Sequence, residues 1–558
     1  MVSWLTAILL SITPGWQSLE TPGELPLSPE AVPIPVLSEP AQKWNEVESI
    51  LKEGANYEQE HRWGKAQDCY EKAIRRFPEN VELQKRFNRS KMLNDIHRRF
   101  LDEDYVARVG GMSRENQEIF LRRTLEKYEM YYVLPISPND IYRRAIFGLN
   151  LALSDVTFRE KVVPNIPFRQ IQGFQRSLQN RERSLPLSSR EELMEAILAV
   201  TKECETTFQT KSSFFLMECV SGFVLSLDPY STLLTPTQYR EILATLAGNF
   251  VGLGVELQYQ DGRIIIARSI TGSPAEEAGI LDGDAILEIA GKSTRGCSMD
   301  QVSHWLQGKG GTCVEMVVQT AENPPRKVEV ERRRVVVPCV EKGKILPHTD
   351  GTAYVQILGF QNNTAKELDR VLWELYREGM KKLILDLRGN PGGLMQSAVE
   401  TADLFVAEGV IVSTKGNQYR EKSHTFYAKK NGTWRVPLVV LIDEKTASAS
   451  EIFAGAIRDH GRGKIIGSRS YGKGTVQGIF ELGCEDFGIK LTTSLFYSPK
   501  GRKYHHAGVQ PDLEVREMAK PPLSELPQEA TVQPAVGHSA LSREKDAVLT
   551  TAIEVFAK

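Results

Sequence analysis

Residues 437–477 read PLVVLIDEKTASASEIFAGAIRDHGRGKIIGSRSYGKGTVQ, and they decide the fold. "PLVVLIDE" is an apolar run of strand length ending in charge, which predicts a buried strand. Small residues follow, then Ser448, then a helix-like run, and Lys473 stands in a glycine turn shortly after. Ser448 and Glu451 have the S-x-x-E spacing of a capping box, which satisfies free N–H groups at a helix start without any catalysis. A helix that starts directly after a buried strand also offers exposed N–H groups and a positive dipole end to an oxyanion. The position suits a cap and a nucleophile alike. A serine hydroxyl becomes nucleophilic when a base takes its proton, and lysine serves as that base when desolvation or nearby positive charge lowers its pKa. The glycines beside Lys473 permit close backbone approach, although a solvated turn has the same pattern.

Upstream, the pattern alternates. "GTAYVQILGF" predicts a strand, "NTAKELDRVLWELYREGM" an amphipathic helix, "KKLILDLRGNPGG" a buried strand ending in a Gly-rich turn, and "LMQSAVETADLFV" another helix. Such alternation predicts an α/β core over 337–515. Sites in open α/β sheets gather at the carboxyl ends of strands. Both "DLRGNPGG" and "DEKTASAS" fall there, so two distant segments are expected at one crevice. Asp386 and Arg388 read as structural, the Asp closing a buried strand and the Arg pairing locally.

Before the core, residues 248–336 have a different texture: short β-rich runs broken by glycine, a small helix at Ser273 to Ala278 and another around Met299 to Leu306. "GSPAEEAGILDGDAILEIAGK" resembles the central block of a PDZ domain, with "GLGV" in the place of its carboxylate-binding loop. Consecutive N–H groups at Gly252, Leu253, Gly254 and Val255 would cradle a terminal carboxylate while the next strand accepts an extended peptide by β-augmentation. Residues 101–247 are mostly helical, with a turn signal at Asp228-Pro229 and a helix start at Thr235-Pro236. In 44–100, Gly54, Tyr57, Trp63, Ala66, Tyr70, Ala73 and Pro78 stand where a tetratricopeptide repeat places them. One copy cannot bury both of its faces, so a helical hairpin docked on its neighbour is expected.

At the amino terminus, "VSWLTAILLSI" is an uncharged apolar run of signal-peptide length inside a leader at 1–19, without a basic n-region, since the first Lys or Arg is Lys43. A Pro-rich linker, 20–43, follows. Residues 516–558 pair a second Pro-rich linker with an amphipathic helix expected to dock on the core or on another subunit.

Of the 558 residues, 41% are hydrophobic and 25% charged, enough for several domains with cores of their own. The formal net charge of -2 excludes a polybasic nucleic-acid binder. Seven dispersed cysteines and nine histidines without HExxH spacing point to no disulfide framework, no metal and no cofactor.

In order, "SLDPYSTLLTP", the PDZ block, "LDLRGNPGGL", "TASASEIFAGAIRDHGRGKIIGSRSYGKGTVQ" and "YSPKGRKYHHAGVQPDLEV" resemble the carboxyl-terminal (tail-specific) processing peptidases over roughly 220–515. The resemblance implies a PDZ domain and an α/β, crotonase-like serine protease core; with the helical amino-terminal region, whose tetratricopeptide-like hairpin departs from the minimal family pattern, the chain is expected to be a multidomain α+β protein. The resemblance implies Ser448 as nucleophile, Lys473 as general base and Gln477 as the residue that orients the lysine. It also implies an oxyanion hole from the N–H of Ala449 and one in the "NPGG" turn, at Gly393 with Gly392 as alternative. Protein substrates with accessible carboxyl-terminal tails and an exported, periplasmic or cell-envelope location follow from it, and the hairpin is open to an adaptor or to self-association. His460 lies twelve residues beyond Ser448, about 18 Å along a helix, too far to be the base. His505 and His506 remain as a Ser-His alternative. Two other readings compete: a PDZ scaffold on a decayed protease core, and a retinoid-binding-like fold for apolar ligands.

Overall fold

The computed structural model describes residues 39–556 except 183–185, 247–248, 261–262, 271, 298, 322, 337, 342, 418–422, 430–433 and 516–545. The expected leader, most of the first linker and the second linker lie outside the described residues. Among those described, no helix is long and apolar enough to cross a membrane.

The hairpin consists of helices Glu39–Gln59 and Trp63–Arg76, followed by a third, Val81–Leu101. Its first two helices approach closely because Gly54 has no side chain: a Cβ there would lie 2.3 Å from the Tyr70 ring. Ala66, Tyr70, Ala73, Leu83 and Phe87 close a small core between the three. The far half of the third helix leaves that core, and its Leu93, Ile96 and Phe100 enter a larger one with Phe158 and Phe215. At the centre of the helical region is Ser212–Leu225, buried along almost its whole length. Its Glu218 accepts two hydrogen bonds from the Arg99 guanidinium, both 2.8 Å, and Arg99 also reaches Asp95 and the Tyr105 hydroxyl.

The core sheet runs in the order Lys344–Ile345, Thr352–Gln356, Lys382–Asp386, Leu438–Ile442, Lys464–Gly467, Leu513–Glu514. Only its first pair is antiparallel. The two central strands are apolar on both faces, as strands covered on both sides must be. Leu383, Leu385 and Val440 pack against the layer holding helices Thr364–Arg377, Met395–Ala402 and Ala449–Asp459. Ile384, Val439, Leu441 and Ile466 face the other way, onto Val548 and Ala552 of the final helix Ala547–Val555. Every strand and helix expected between 352 and 459 forms. The final helix docks on the core, and Arg388 joins it there: the guanidinium pairs with Asp386 at 2.7 Å and with Asp546 at 2.8 Å.

A second sheet is antiparallel and built on Gly488–Tyr497, which pairs with Thr232–Leu234, Val410–Gly416 and Thr475–Glu481. Ile489 and Leu491 enter the helical core while Phe496 enters the core of the α/β sheet. One strand therefore welds the two regions. Between them, the β-rich module has its own core around Ile264, Ile286, Val302 and Val330. Its entering strand, Asn249–Gly252, pairs antiparallel with its leaving strand, Arg333–Val336.

Candidate active site

Two turns meet at the carboxyl ends of the central strands. Asp443 accepts N–H bonds from Gly389 in one turn and from Lys445 and Thr446 in the other. Thr446 Oγ1 donates to the Leu387 carbonyl at 2.8 Å, and the Ala447 N–H donates to the Asn390 carbonyl. The sequence expectation that "DLRGNPGG" and "DEKTASAS" share a crevice is met.

Ser448 closes the second turn with φ 56° and ψ -114°, a backbone state costly for a residue with a Cβ and characteristic of functional turns. Its hydroxyl makes no cap bond to the helix behind it. In the reciprocal half of the capping box, Glu451 Oε2 accepts from the Ser448 N–H at 2.8 Å. The same oxygen accepts from the Lys473 N–H at 2.9 Å. Oε1 accepts from the Gly472 N–H at 2.7 Å and from the Ser470 hydroxyl at 2.6 Å. One buried carboxylate thus joins the Ser448 turn to the Lys473 turn. Sequence reasoning assigned Glu451 to the cap alone; the S-x-x-E spacing was the signal, but its partners in 470–473 lie too far along the chain to be inferred.

The Lys473 amine has no hydrogen-bond or ion-pair partner among the described residues, and it lies 4.8 Å from the centre of the Tyr230 ring. Burial, reinforced by the positive charge of Lys490, lowers its pKa to about 8 against the opposing pull of Glu451 and Asp228. Ser448 and Lys473 are held in one locus without a direct hydrogen bond, a spacing common in sites without substrate. Gln477 is directed elsewhere. A bulge between Val476 and Gln477 sets its side chain toward Thr475 Oγ1, at 2.9 Å, and Thr492 Oγ1, at 3.5 Å. Thr492 in turn donates to Asp228.

Gly392 and Gly393 pack where no side chain fits. A Cβ on Gly392 would lie 2.9 Å from both the Ala449 nitrogen and the Ser448 Cβ, and one on Gly393 would lie 2.1 Å from the Phe360 carbonyl oxygen. The Gly392 N–H is already spent on Asn390 Oδ1 at 2.9 Å. Those of Gly393 and Ala449 donate to no described residue. His460 caps the far end of the helix and bonds the Val410 carbonyl. His505 is held neutral by burial and by His506, which lower its pKa to about 4, and it makes no hydrogen bond to Ser448.

The PDZ-like loop opens elsewhere. Gly252, Leu253, Gly254 and Val255 line a cavity of about 1140 Å³ with Met299 and Ser303, and none of Ser448, Lys473 or Gln477 borders it. The helical region lines it too, with Asp104, Arg108, Arg240 and Glu241.

Residues 351–515 match peptidase family S41, and residues 265–320 match the PDZ domain. The chain carries an S41 peptidase domain behind a PDZ domain. The chain is 33% identical over 310 residues to a probable CtpA-like serine protease of Staphylococcus haemolyticus (strain JCSC1435), covering 55% of this chain and 61% of that one. It is 34% identical over 301 residues to a probable CtpA-like serine protease of Staphylococcus aureus (strain bovine RF122 / ET3-1), covering 53% and 59%. The chain therefore spans about three fifths of the length of these curated relatives. Among solved structures it is similar to a photosystem II D1 C-terminal processing protease, at 24% identity over 73% of this chain and 94% of that one, with a TM-score of 0.38. The S41 domain contains Ser448, Lys473 and Gln477, and the PDZ match begins just after the GLGV loop.

Proposed function

We propose that this protein is a serine endopeptidase of the carboxyl-terminal processing type, working through a Ser448/Lys473 dyad. The observation that carries the reading is Glu451, whose one oxygen fixes the backbones of both residues while the lysine amine stays desolvated and unpaired.

Neutral Lys473 takes the proton from Ser448 Oγ as that oxygen bonds to the scissile carbonyl carbon. The carbonyl electrons move onto its oxygen, which the N–H groups of Ala449 and Gly393 receive. Gly392 is the poorer donor because Asn390 holds its N–H. The protonated lysine then delivers its proton to the leaving amine as the C–N bond breaks, leaving an acyl-enzyme. Water attacks the ester as Lys473 takes its proton; the C–Oγ bond then breaks, the lysine returns the proton to Ser448 Oγ, and the new carboxyl end is released. One oxyanion donor contributes roughly 2.7 to 4 kcal/mol of transition-state stabilisation. Gln477 would reach Lys473 only by leaving Thr475, a rearrangement we assign to the substrate-bound state.

The GLGV loop is the proposed receptor for the terminal carboxylate of a protein tail, with the hairpin free to engage an adaptor. Export to the periplasm or cell envelope rests on the apolar run at residues 2–12, and fractionation with amino-terminal sequencing tests it. The decisive experiment compares wild type, Ser448→Ala and Lys473→Ala on an unstructured protein with an apolar carboxyl tail, fragments being read by mass spectrometry. Cleavage is expected in wild type alone; retained cleavage in Lys473→Ala sinks the dyad.

A further inference from the structure

The loop that carries the base has a second anchor, on the outside. The Tyr471 N–H donates to the Thr446 carbonyl at 2.9 Å, so its backbone belongs to the nucleophile turn. Its side chain leaves the S41 domain for the hairpin helix Trp63–Arg76. The Tyr471 hydroxyl donates to Glu71 Oε1 at 2.6 Å, and the Arg75 guanidinium lies 3.7 Å from the centre of the Tyr471 ring. Arg75 also pairs with Glu71 at 3.0 Å. A half-exposed Glu–Arg pair contributes little by itself. Here it grips a partly buried aromatic ring by edge and face, two residues before Lys473. Beyond Tyr471 comes Tyr230, whose phenol interacts with that of Tyr471 and whose ring underlies the Lys473 amine.

We propose that Glu71 and Arg75 are positioning residues for the general base, acting through Tyr471 to keep the 470–473 loop packed. The proposal rests on the Ser/Lys reading above and gives the hairpin a part in the reaction.

The charged and titratable groups that face Lys473 are Lys490 on the antiparallel sheet, Glu451 on the nucleophile helix, and Asp228 with Tyr230 on the Asp228–Ser231 turn. His505 also packs close by, against Gly474. Glu71 and Arg75 are not among them, so their influence is through the loop's packing. Loosening the loop admits water to Lys473, weakens the desolvation that depresses its pKa, and leaves less neutral amine at a given pH. Burial and Glu71 both raise the Tyr471 pKa, so the phenol stays a donor across the working range.

The test follows the rate at which a fluorophosphonate probe labels Ser448 as a function of pH, in the full chain and in its Tyr471→Phe, Glu71→Ala and Glu71→Gln variants. Values of kcat and KM on a tailed substrate are taken alongside. Tyr471→Phe and Glu71→Ala are expected to label about tenfold more slowly near pH 7.5, their midpoint rising by about one pH unit, because below the pKa each unit removes tenfold of the neutral base. KM should stay within about twofold, and Glu71→Gln, which still accepts the phenol bond, within about threefold of wild type. A wild-type rate and midpoint in Tyr471→Phe would overturn the proposal. Should Glu71→Ala unfold the hairpin in a thermal melt, Tyr471→Phe, which leaves the helix intact, decides. Failure of the underlying dyad looks different: wild type would not label at Ser448, or Lys473→Ala would label as wild type does.

Discussion

A carboxylate that accepts from two separate backbone segments fixes the distance between them, and Glu451 does this for Ser448 and Lys473, the proposed nucleophile and base. Glu451→Ala should therefore lower kcat by about 10²-fold with KM little changed, the loss expected when reacting groups shift by an ångström; steady-state kinetics on a tailed substrate checks it. Burial lowers the pKa of Lys473, the proposed base, to about 8, and only the neutral amine can take a proton. Activity should rise with pH through that value; a rise at clearly lower pH would count against lysine as the base. The same burial has a stability sign. The folded pKa lies below the unfolded one, so the folded state binds fewer protons between about 8 and the ordinary lysine value, and stability rises across that window. Lys473→Met should raise Tm at neutral pH, with the gain shrinking above the window; calorimetry at two pH values tests this. Ser448 and Lys473 could be singled out as candidates because the motif that resembles the family is local. The neighbours of Gln477 could not, since Thr492 and Asp228 reach it only through a bulged strand and a distant turn.

At the level of elements, burial in the helical region has been combined with charge. Arg99 and Glu218 are almost fully enclosed and pair at 2.8 Å. Glu218→Ala leaves the guanidinium without its main partner and should destabilise the protein by about 3 to 5 kcal/mol, measured by urea unfolding. Strands and helices of the α/β core were legible because each is a short run with its own periodicity. The antiparallel sheet was not, because Gly488–Tyr497 finds its partners near residues 232, 410 and 475, and no local pattern specifies such pairings. The final helix was legible as amphipathic, but its seat on Ile384, Val439 and Leu441 depends on which strand faces the topology leaves open.

For the whole molecule, the cavity beside the GLGV loop is walled by the helical region while the dyad lies outside it. In the proposed function, recognition and chemistry are thus spatially distinct. Deleting residues 248–336 should impair cleavage of tailed proteins by at least about tenfold while sparing short peptides, and amidating the tail should mimic the deletion through KM. Equal effects on both substrates would show that the PDZ domain serves the core alone. The order of the regions was readable from changes of texture along the chain; how they pack was not, because it rests on shared strands and paired charges contributed by remote segments.

The two-stranded ribbon formed by Asn249–Gly252 and Arg333–Val336 brings the ends of the PDZ domain side by side. An insert with adjoining ends is a cassette: the host chain continues across it as across a tight loop. A different peptide reader with neighbouring termini, spliced at the same ribbon, should redirect the protease to new tails without redesign of its catalytic half.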